Sequence, residues 1–358
     1  ADGDVFGRIY EYFLTQFADQ KAHDNGEFFT PTSIVETIVN IIEPKRGAVI
    51  DPACGSGGMF VQSAHFVEAM KANPNEQLTF YGMEKNPTTL RLAKMNLAVH
   101  GLDGDIQKAI SYYEDPHKDQ GPFDYVMANP PFNVDEIDAE KMKDDTRLTF
   151  GLPGVNKGGK ISNGNYVWMS FFHAYLSETG RAGIVMSSQA SSAGGQEAKV
   201  REALVKSGDI DVMCAIRGNF FYTRTVPCEI WFMDKGKPDH LRDKVLMLDA
   251  RNVFRKVTRK IFDFSPEQTK NLMSIVWLYR GQEDRFAELV REYLTTARDE
   301  AQAADFEDLI AAFETAQAYL TKHADTTELT DAIKQLRSDA ADFAKASTAL
   351  IAPSGDIA

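Results

Sequence analysis

Cysteine is scarce in this chain: three in 358 residues, at Cys54, Cys214 and Cys228, far apart and without ligand spacing. So odd and scattered a set argues against a disulfide framework or a structural zinc site. No metal is expected, and a reducing cytoplasm fits. Long apolar runs are missing too. None approaches the ~18 residues that suggest a transmembrane helix, so no membrane span is expected. The opening ADGDVFGRIY has neither a basic stretch nor an apolar core, so no secretory signal is expected. Positive charge is in deficit, with 39 Lys+Arg against 52 Asp+Glu and a net charge of −13. That balance argues against a protein that coats nucleic acid by bulk electrostatics, though a local basic channel stays open.

What is present divides into three regions. Up to about residue 45 the chain reads as helical. Phe6, Ile9, Tyr10, Phe13, Leu14 and Phe17 recur on one helix face, and a second helix is expected over residues 32–42 between Pro31 and Pro44. From residue 48 to about 235, short apolar runs alternate with helical patterns. The runs AVID, LTFYGME, FDYVMAN, AGIVMSS, IDVMCAI and CEIWFMD read as buried strands, and VLMLDA (245–250) as a further one. The alternation implies a mostly parallel sheet covered on both faces.

From about Pro266 glycine and proline nearly vanish. Phe306, Leu309, Ile310, Phe313 and Leu320 form one helical stripe, and Leu329, Ile333, Leu336 and Phe343 another. Such helices either pack on each other or the body, or bury their stripes against a partner. Residues 283–358 hold 16 acidic and 7 basic side chains, against 36 and 32 in the rest, so most of the negative charge sits in this region.

Three motifs carry chemistry. DPACGSGG (51–58) follows the first strand and opens a helix. Its glycines permit positive φ and close approach of a ligand to the backbone and to the helix N-terminus. It ends without G-K-[ST] and is not a dinucleotide fingerprint; read alone, it is either a ligand loop or a tight strand–helix turn. Glu84 closes the second strand in YGMEKN, where a carboxylate binds a ribose diol or simply caps a solvated end. Asn129-Pro130-Pro131-Phe132 follows FDYVMA directly. Two prolines fix a rigid turn, so the Asn129 side chain and the Pro130 carbonyl become two acceptors for one amino group, with Phe132 a face for a planar ring.

The combination of GEFFTP (26–31), DPACGSGG, GMEKN and NPPFN resembles the amino-methyltransferases that use S-adenosylmethionine. More narrowly, it is similar to the modification (M, HsdM-type) subunits of type I restriction–modification systems. The resemblance runs from about residue 5 to 235 and includes GNYVWMSFF, GRAGIVMSS, GGQEAKVREALV and GNFFYTRTVPCEIWFMDK. It implies an α/β fold with a mostly parallel, seven-stranded Rossmann-like methyltransferase sheet, helices on both faces, N-terminal helices and a C-terminal helical region. The implied organisation is a helical segment with a cofactor-closing loop (1–45), a catalytic domain (46–262) and a partner-binding helical region (263–358).

By the same resemblance, Glu27, Phe28, Phe29, Thr30 and Pro31 would close over the methionine part of S-adenosylmethionine. Asp51, Gly55, Ser56, Gly57 and Gly58 would hold its amino and carboxylate groups, and Glu84 its ribose. Asn129, Pro130 and Phe132, on the rigid Pro131 turn, would hold an adenine flipped out of double-stranded DNA, with Phe220 or Phe221 as the other wall. The implied partners are a specificity (S) subunit, a restriction (R) subunit and a second M subunit. Two features depart from the family pattern. Ile110 stands where many relatives have an acid facing the cofactor adenine, and only one helix precedes GEFFTP where the family usually has a helical domain. Cys54 reads as a small packed residue.

The expected reaction is methyl transfer to the N6 amine of adenine in duplex DNA. Rival readings keep the chemistry on protein glutamine or RNA, or make the chain a subunit inactive without partners. The basic stretch RNVFRKVTRK (251–260), with Arg251, Arg255 and Lys256, is either a solvated edge or a contact to DNA phosphates.

Overall fold

The computed structural model describes residues 30–221, 227–259, 261–303, 306–322 and 325–349. The helix expected over residues 6–17 lies outside these. Helix α1 (Thr32–Ile42) forms where the apolar spacing puts it, with Ile34, Val35, Ile38, Val39 and Ile42 buried. The Pro31 carbonyl accepts the Ile34 and Val35 N–H groups at 2.9 and 3.2 Å, which starts the helix.

There follow β1 (Gly47–Asp51), α2 (Gly58–Ala69), the short α3 (Pro74–Gln77), β2 (Leu78–Glu84), α4 (Pro87–Val99), β3 (Gly104–Lys108) and β4 (Phe123–Ala128). A small ribbon of β5 (Ile137–Asp138) and β6 (Lys160–Ile161) precedes α5 (Asn165–Tyr175), β7 (Leu176–Ser187), α6 (Gly195–Lys206), β8 (Ile210–Ile216), β9 (Cys228–Asp234) and β10 (Leu246–Asp249). The hairpin β11 (Arg255–Lys256) and β12 (Phe262–Asp263) leads into α7 (Pro266–Tyr279), α8 (Glu283–Ala303), α9 (Glu307–Leu320) and α10 (Thr327–Thr348).

The sheet has the order β10-β8-β9-β7-β4-β1-β2-β3, with β9 antiparallel to both of its neighbours and every other pair parallel. It has eight strands where seven were expected. The addition is β3, an edge strand (GDIQK) in which only Ile106 is buried, so it has no apolar run to be read. The inner strands need continuous apolar sequence because helices cover both faces. One core packs α1, α2, α4 and α7 against the sheet, and a second packs α5 and α6 on the opposite face. Helix α1 lies close on β7 because residue 183 is glycine; a Cβ there would stand 2.5 Å from Ile38. That approach holds Thr30 and Pro31 over the middle of the sheet.

The chain divides into two compact units between Val276 and Trp277. In the second, α10 packs on α8 and α9, with Leu289, Ile310 and Ile333 buried. Arg337 bridges to Glu314 at 2.9 Å and Glu307 at 3.5 Å. No helix among the described residues is long and apolar enough to cross a membrane.

Candidate functional site

After β3 the chain returns to the other side of β1, so that β4 pairs with β1 through Val49↔Tyr125 and Ile50↔Val126. This reversal opens a crevice at the carboxyl ends of the strands, where open α/β sheets bind their ligands. The three motifs converge there: the glycine turn leaves β1, the NPPF turn leaves the adjacent β4, and Glu84 ends β2 on the other side.

The glycine turn is built to hold its shape. Gly55 (φ 54) and Gly57 (φ 79) take left-handed backbone that other residues rarely adopt. A Cβ at Gly57 would press on Leu97 at 3.1 Å, whereas at Gly55 and Gly58 it would meet nothing within 4 Å, so the turn is open on its outer side. Three contacts fasten it from behind: Cys54 N–H to the Met83 carbonyl (3.0 Å), Asn96 Nδ2 to the Ser56 carbonyl (2.9 Å), and Ser111 Oγ to the Pro52 carbonyl (2.5 Å). Helix α2 starts on Gly57 with no side-chain cap and no acid in its first turn; the Gly57 and Phe60 N–H groups donate to the Cys54 and Gly57 carbonyls, which leaves those of Gly58 and Met59 for an anionic group.

Asp51 is 2% exposed and accepts the Ala53 N–H at 3.0 Å. Burial, with the Glu84 carboxylate adding to it, pushes its carboxyl up to about 8. A cationic ligand group beside it would relieve that cost. Glu84 is half-buried, and its Oε1 accepts the Asn86 N–H at 2.7 Å. Cys54 is buried, and burial pushes its thiol up, helped by Asp51 and Glu84; a thiol so held is a packing group and a poor nucleophile.

In the second turn, Asn129 Nδ2 donates to Thr30 Oγ1 at 3.0 Å, across 99 residues of sequence. Its Oδ1 is buried without a hydrogen-bond partner among the described residues. A carbonyl oxygen stripped of water and left unpaired is costly, and a ligand amine would satisfy it. Pro130 is buried and Pro131 half-buried, while Phe132 packs partly against the core shared by α1 and α2. The turn ends on Asn133 (φ 54), which a reciprocal pair locks to α5: Asn133 N–H to Asn165 Oδ1 (2.9 Å) and Asn165 Nδ2 to Asn133 Oδ1 (2.8 Å). Sequence reasoning missed Asn96, Ser111 and Asn165, whose partners lie 40, 59 and 32 residues away.

Other expected residues lie elsewhere. Glu27, Phe28 and Phe29 fall outside the described residues, but Thr30 and Pro31 stand at the start of α1 against the NPPF turn. Phe220 is fully buried with its ring 4.6 Å from Phe264, and Phe221 is 5% exposed. Asn219 takes the left-handed turn (φ 73), and both rings fold into the core behind it. Arg251 forms a two-pronged ion pair with Asp249, both contacts at 2.7 Å, and Arg255 another with Asp263 at 2.9 and 2.7 Å. Lys256 is exposed on the hairpin edge. Ile110, after β3, is 48% exposed.

A doubly wound sheet with a glycine turn and an Asn-Pro-Pro turn on adjacent strands at its switch point defines an open α/β class whose ligand crevice lies at the carboxyl ends of the strands. The chain belongs to the N-6 DNA methylase family, whose model matches residues 1–313. It is 39% identical over 285 residues to the type I restriction enzyme MjaIX methylase subunit of Methanocaldococcus jannaschii, covering 78% of this chain and 50% of that protein. The chain therefore spans half the length of that relative. Its fold matches the type I restriction–modification methyltransferase subunit of Streptococcus thermophilus with a TM-score of 0.68 at 24% identity, over 76% of this chain and 57% of the other. It also matches a protein of Listeria monocytogenes described as a class I S-adenosylmethionine-dependent methyltransferase, with a TM-score of 0.57 at 16% identity, over 76% and 79% of the two chains.

Proposed function

We propose that this chain transfers a methyl group from S-adenosylmethionine to the exocyclic N6 amine of adenine in double-stranded DNA. In this reading it is the modification subunit of a type I restriction–modification assembly. It would act with a specificity subunit that chooses the site, a restriction subunit and a second copy of itself. The observation that carries the reading is the buried Oδ1 of Asn129, without a partner among the described residues, at the end of the strand next to the glycine turn.

The residues present fit the cofactor. The open outer side of Gly55 and Gly58 leaves room for it, and the bare N-terminus of α2 suits its carboxylate. Asp51 suits its amino group and Glu84 its ribose hydroxyls. When bound, it supplies the methyl group as a sulfonium electrophile. The chain's own part is to prepare the nucleophile. An adenine amine is weakly nucleophilic because its lone pair is delocalised into the ring. Acceptance of its two hydrogens by Asn129 Oδ1 and the Pro130 carbonyl would favour the tetrahedral nitrogen with its lone pair free. Thr30 fixes which end of the Asn129 amide faces the amine. A base inside the duplex cannot reach such a pocket, so it would have to be flipped out. Proximity and acceptor placement then supply the acceleration, with no covalent intermediate on the protein.

Labelled S-adenosylmethionine incubated with the chain and duplex DNA, with and without the specificity subunit, tests this. Nucleoside analysis should find the label in N6-methyladenine. Label in tRNA or a protein instead, or none anywhere with partners present, overturns it.

A further inference from the structure

Arg217 has no carboxylate and no hydrogen-bond partner among the described residues, yet it is held firmly. Its guanidinium lies 4.1 Å from the centroid of the Phe254 ring and 4.4 Å from that of Phe262. Those rings meet edge to face at 4.9 Å, and the Phe262 N–H donates to the Asn219 carbonyl at 3.0 Å, so the hairpin β11–β12 is fastened onto the turn after β8. A guanidinium stacked on aromatic faces keeps its N–H donors in its own plane, aimed at the edge the rings leave open. Lys256 pairs across the hairpin with Phe262, on the same face, and has no acidic partner among the described residues either. The neighbouring Arg251 and Arg255 differ: each is neutralised by its own aspartate.

Strand β8 runs parallel to β7, β4 and β1, so Arg217 leaves the sheet at the same carboxyl edge as the NPPF turn. Three strand spacings separate β8 from β4, about 14 Å. Along a duplex rising ~3.4 Å per base pair, that is about four base pairs.

We propose that Arg217, clamped between Phe254 and Phe262 and assisted by Lys256, binds a backbone phosphate of the DNA flanking the target adenine. This rests on the reading of the chain as a DNA methyltransferase. The clamp sets the guanidinium's plane before DNA arrives, so less ordering remains when a phosphate oxygen accepts two of its N–H groups.

The salt dependence of duplex binding by the full chain tests the site, measured by fluorescence anisotropy on R217Q, R217K and K94Q. Lys94 is an exposed cation on α4, beside β2 and β3 at the far end of the sheet, so K94Q removes the same charge without touching the hairpin. R217Q should lower the slope of log K against log[salt] by roughly 0.9, the worth of one phosphate contact. R217K should retain the slope, and K94Q should match the unsubstituted chain. Equal slopes in R217Q and K94Q overturn the phosphate site, as does an R217K slope as low as that of R217Q, which would mark Arg217 as a packing residue. Either result leaves the methyltransferase reading intact if S-adenosylmethionine binding and transfer persist. Failure of the unsubstituted chain to bind the cofactor, or to methylate DNA with the specificity subunit present, overturns that reading separately.

Discussion

Asn129 and Thr30 form a two-part device whose halves can be separated by substitution. Asn129→Ala removes the acceptor and should leave S-adenosylmethionine affinity unchanged while slowing single-turnover transfer by ~10²-fold or more, the scale seen when a group aimed at the transition state is lost. Wild-type transfer in that variant would remove Asn129 from the mechanism. Thr30→Val keeps shape but leaves Nδ2 of Asn129 without its acceptor. Transfer should slow about tenfold, the worth of one hydrogen bond, and Thr30→Ser should restore it. Asp51 makes a different prediction. With its carboxyl pushed up to about 8 from an ordinary 3.8, the ligand-free folded chain holds a proton across that interval that the unfolded chain has released. Stability should therefore fall as pH rises through that window. Asp51→Asn removes this penalty, so its melting temperature without ligand should exceed that of the unsubstituted chain by a margin growing from pH 5 to pH 8. A margin independent of pH would show that the buried carboxyl does not titrate in this way. The Thr30–Asn129 partnership is not local: each residue could be singled out from its motif, but a contact across 99 residues leaves no trace in spacing.

Elements with continuous apolar sequence were legible because burial on both faces demands it, as in β9, whose seven residues are all buried. Strand β3 was not, since a sheet edge needs only Ile106 inside. Helix α5 stops at Tyr175, where the backbone passes directly into β7 and pairs Leu176 with Phe123. The glycine turn was legible as a type of element, and its left-handed residues lie where the sequence has glycine. Gly57→Ala should cost about 1–2 kcal/mol from left-handed strain alone, with Leu97 crowded besides. It should also weaken S-adenosylmethionine binding at least tenfold, as calorimetry and thermal unfolding would register. An alanine variant with unchanged melting and affinity would mean that the turn relaxes without consequence. The hairpin β11–β12 shows the opposite limit. Its run of basic residues was visible, but the pairing register that sets Asp263 opposite Arg255 and Phe262 opposite Lys256 was not, whereas Arg251 pairs with Asp249 only two residues away.

Across the whole molecule, charge and apolar surface are divided unequally. The acidic residues concentrate in the last 76 positions, while residues 1–282 are close to neutral. In the second unit the two expected stripes form α9 and α10, yet only Ile310 and Ile333 of them are buried. Leu309, Phe313, Leu320 and Phe343 remain 42–47% exposed. Exposed side chains of this size suit a surface made for another subunit, in line with the proposed partnership. Phe313→Lys combined with Leu309→Lys should abolish retention by the specificity subunit in co-purification while leaving cofactor binding unchanged. Full retention would place the partner surface elsewhere.

The sequence by itself determined the class of fold and the place of the candidate turns, because a parallel sheet needs apolar runs, a close backbone approach needs glycine, and a rigid turn of this kind needs proline. Tertiary structure alone decided how those turns are aimed. The return of the chain to the far side of β1 sets the glycine turn beside Asn129, and the approach of α1 over Gly183 brings Thr30 to orient its amide. It also decided that Arg255 pairs with Asp263 across the hairpin while Lys256 faces Phe262, since those pairings depend on a register that only the folded chain defines.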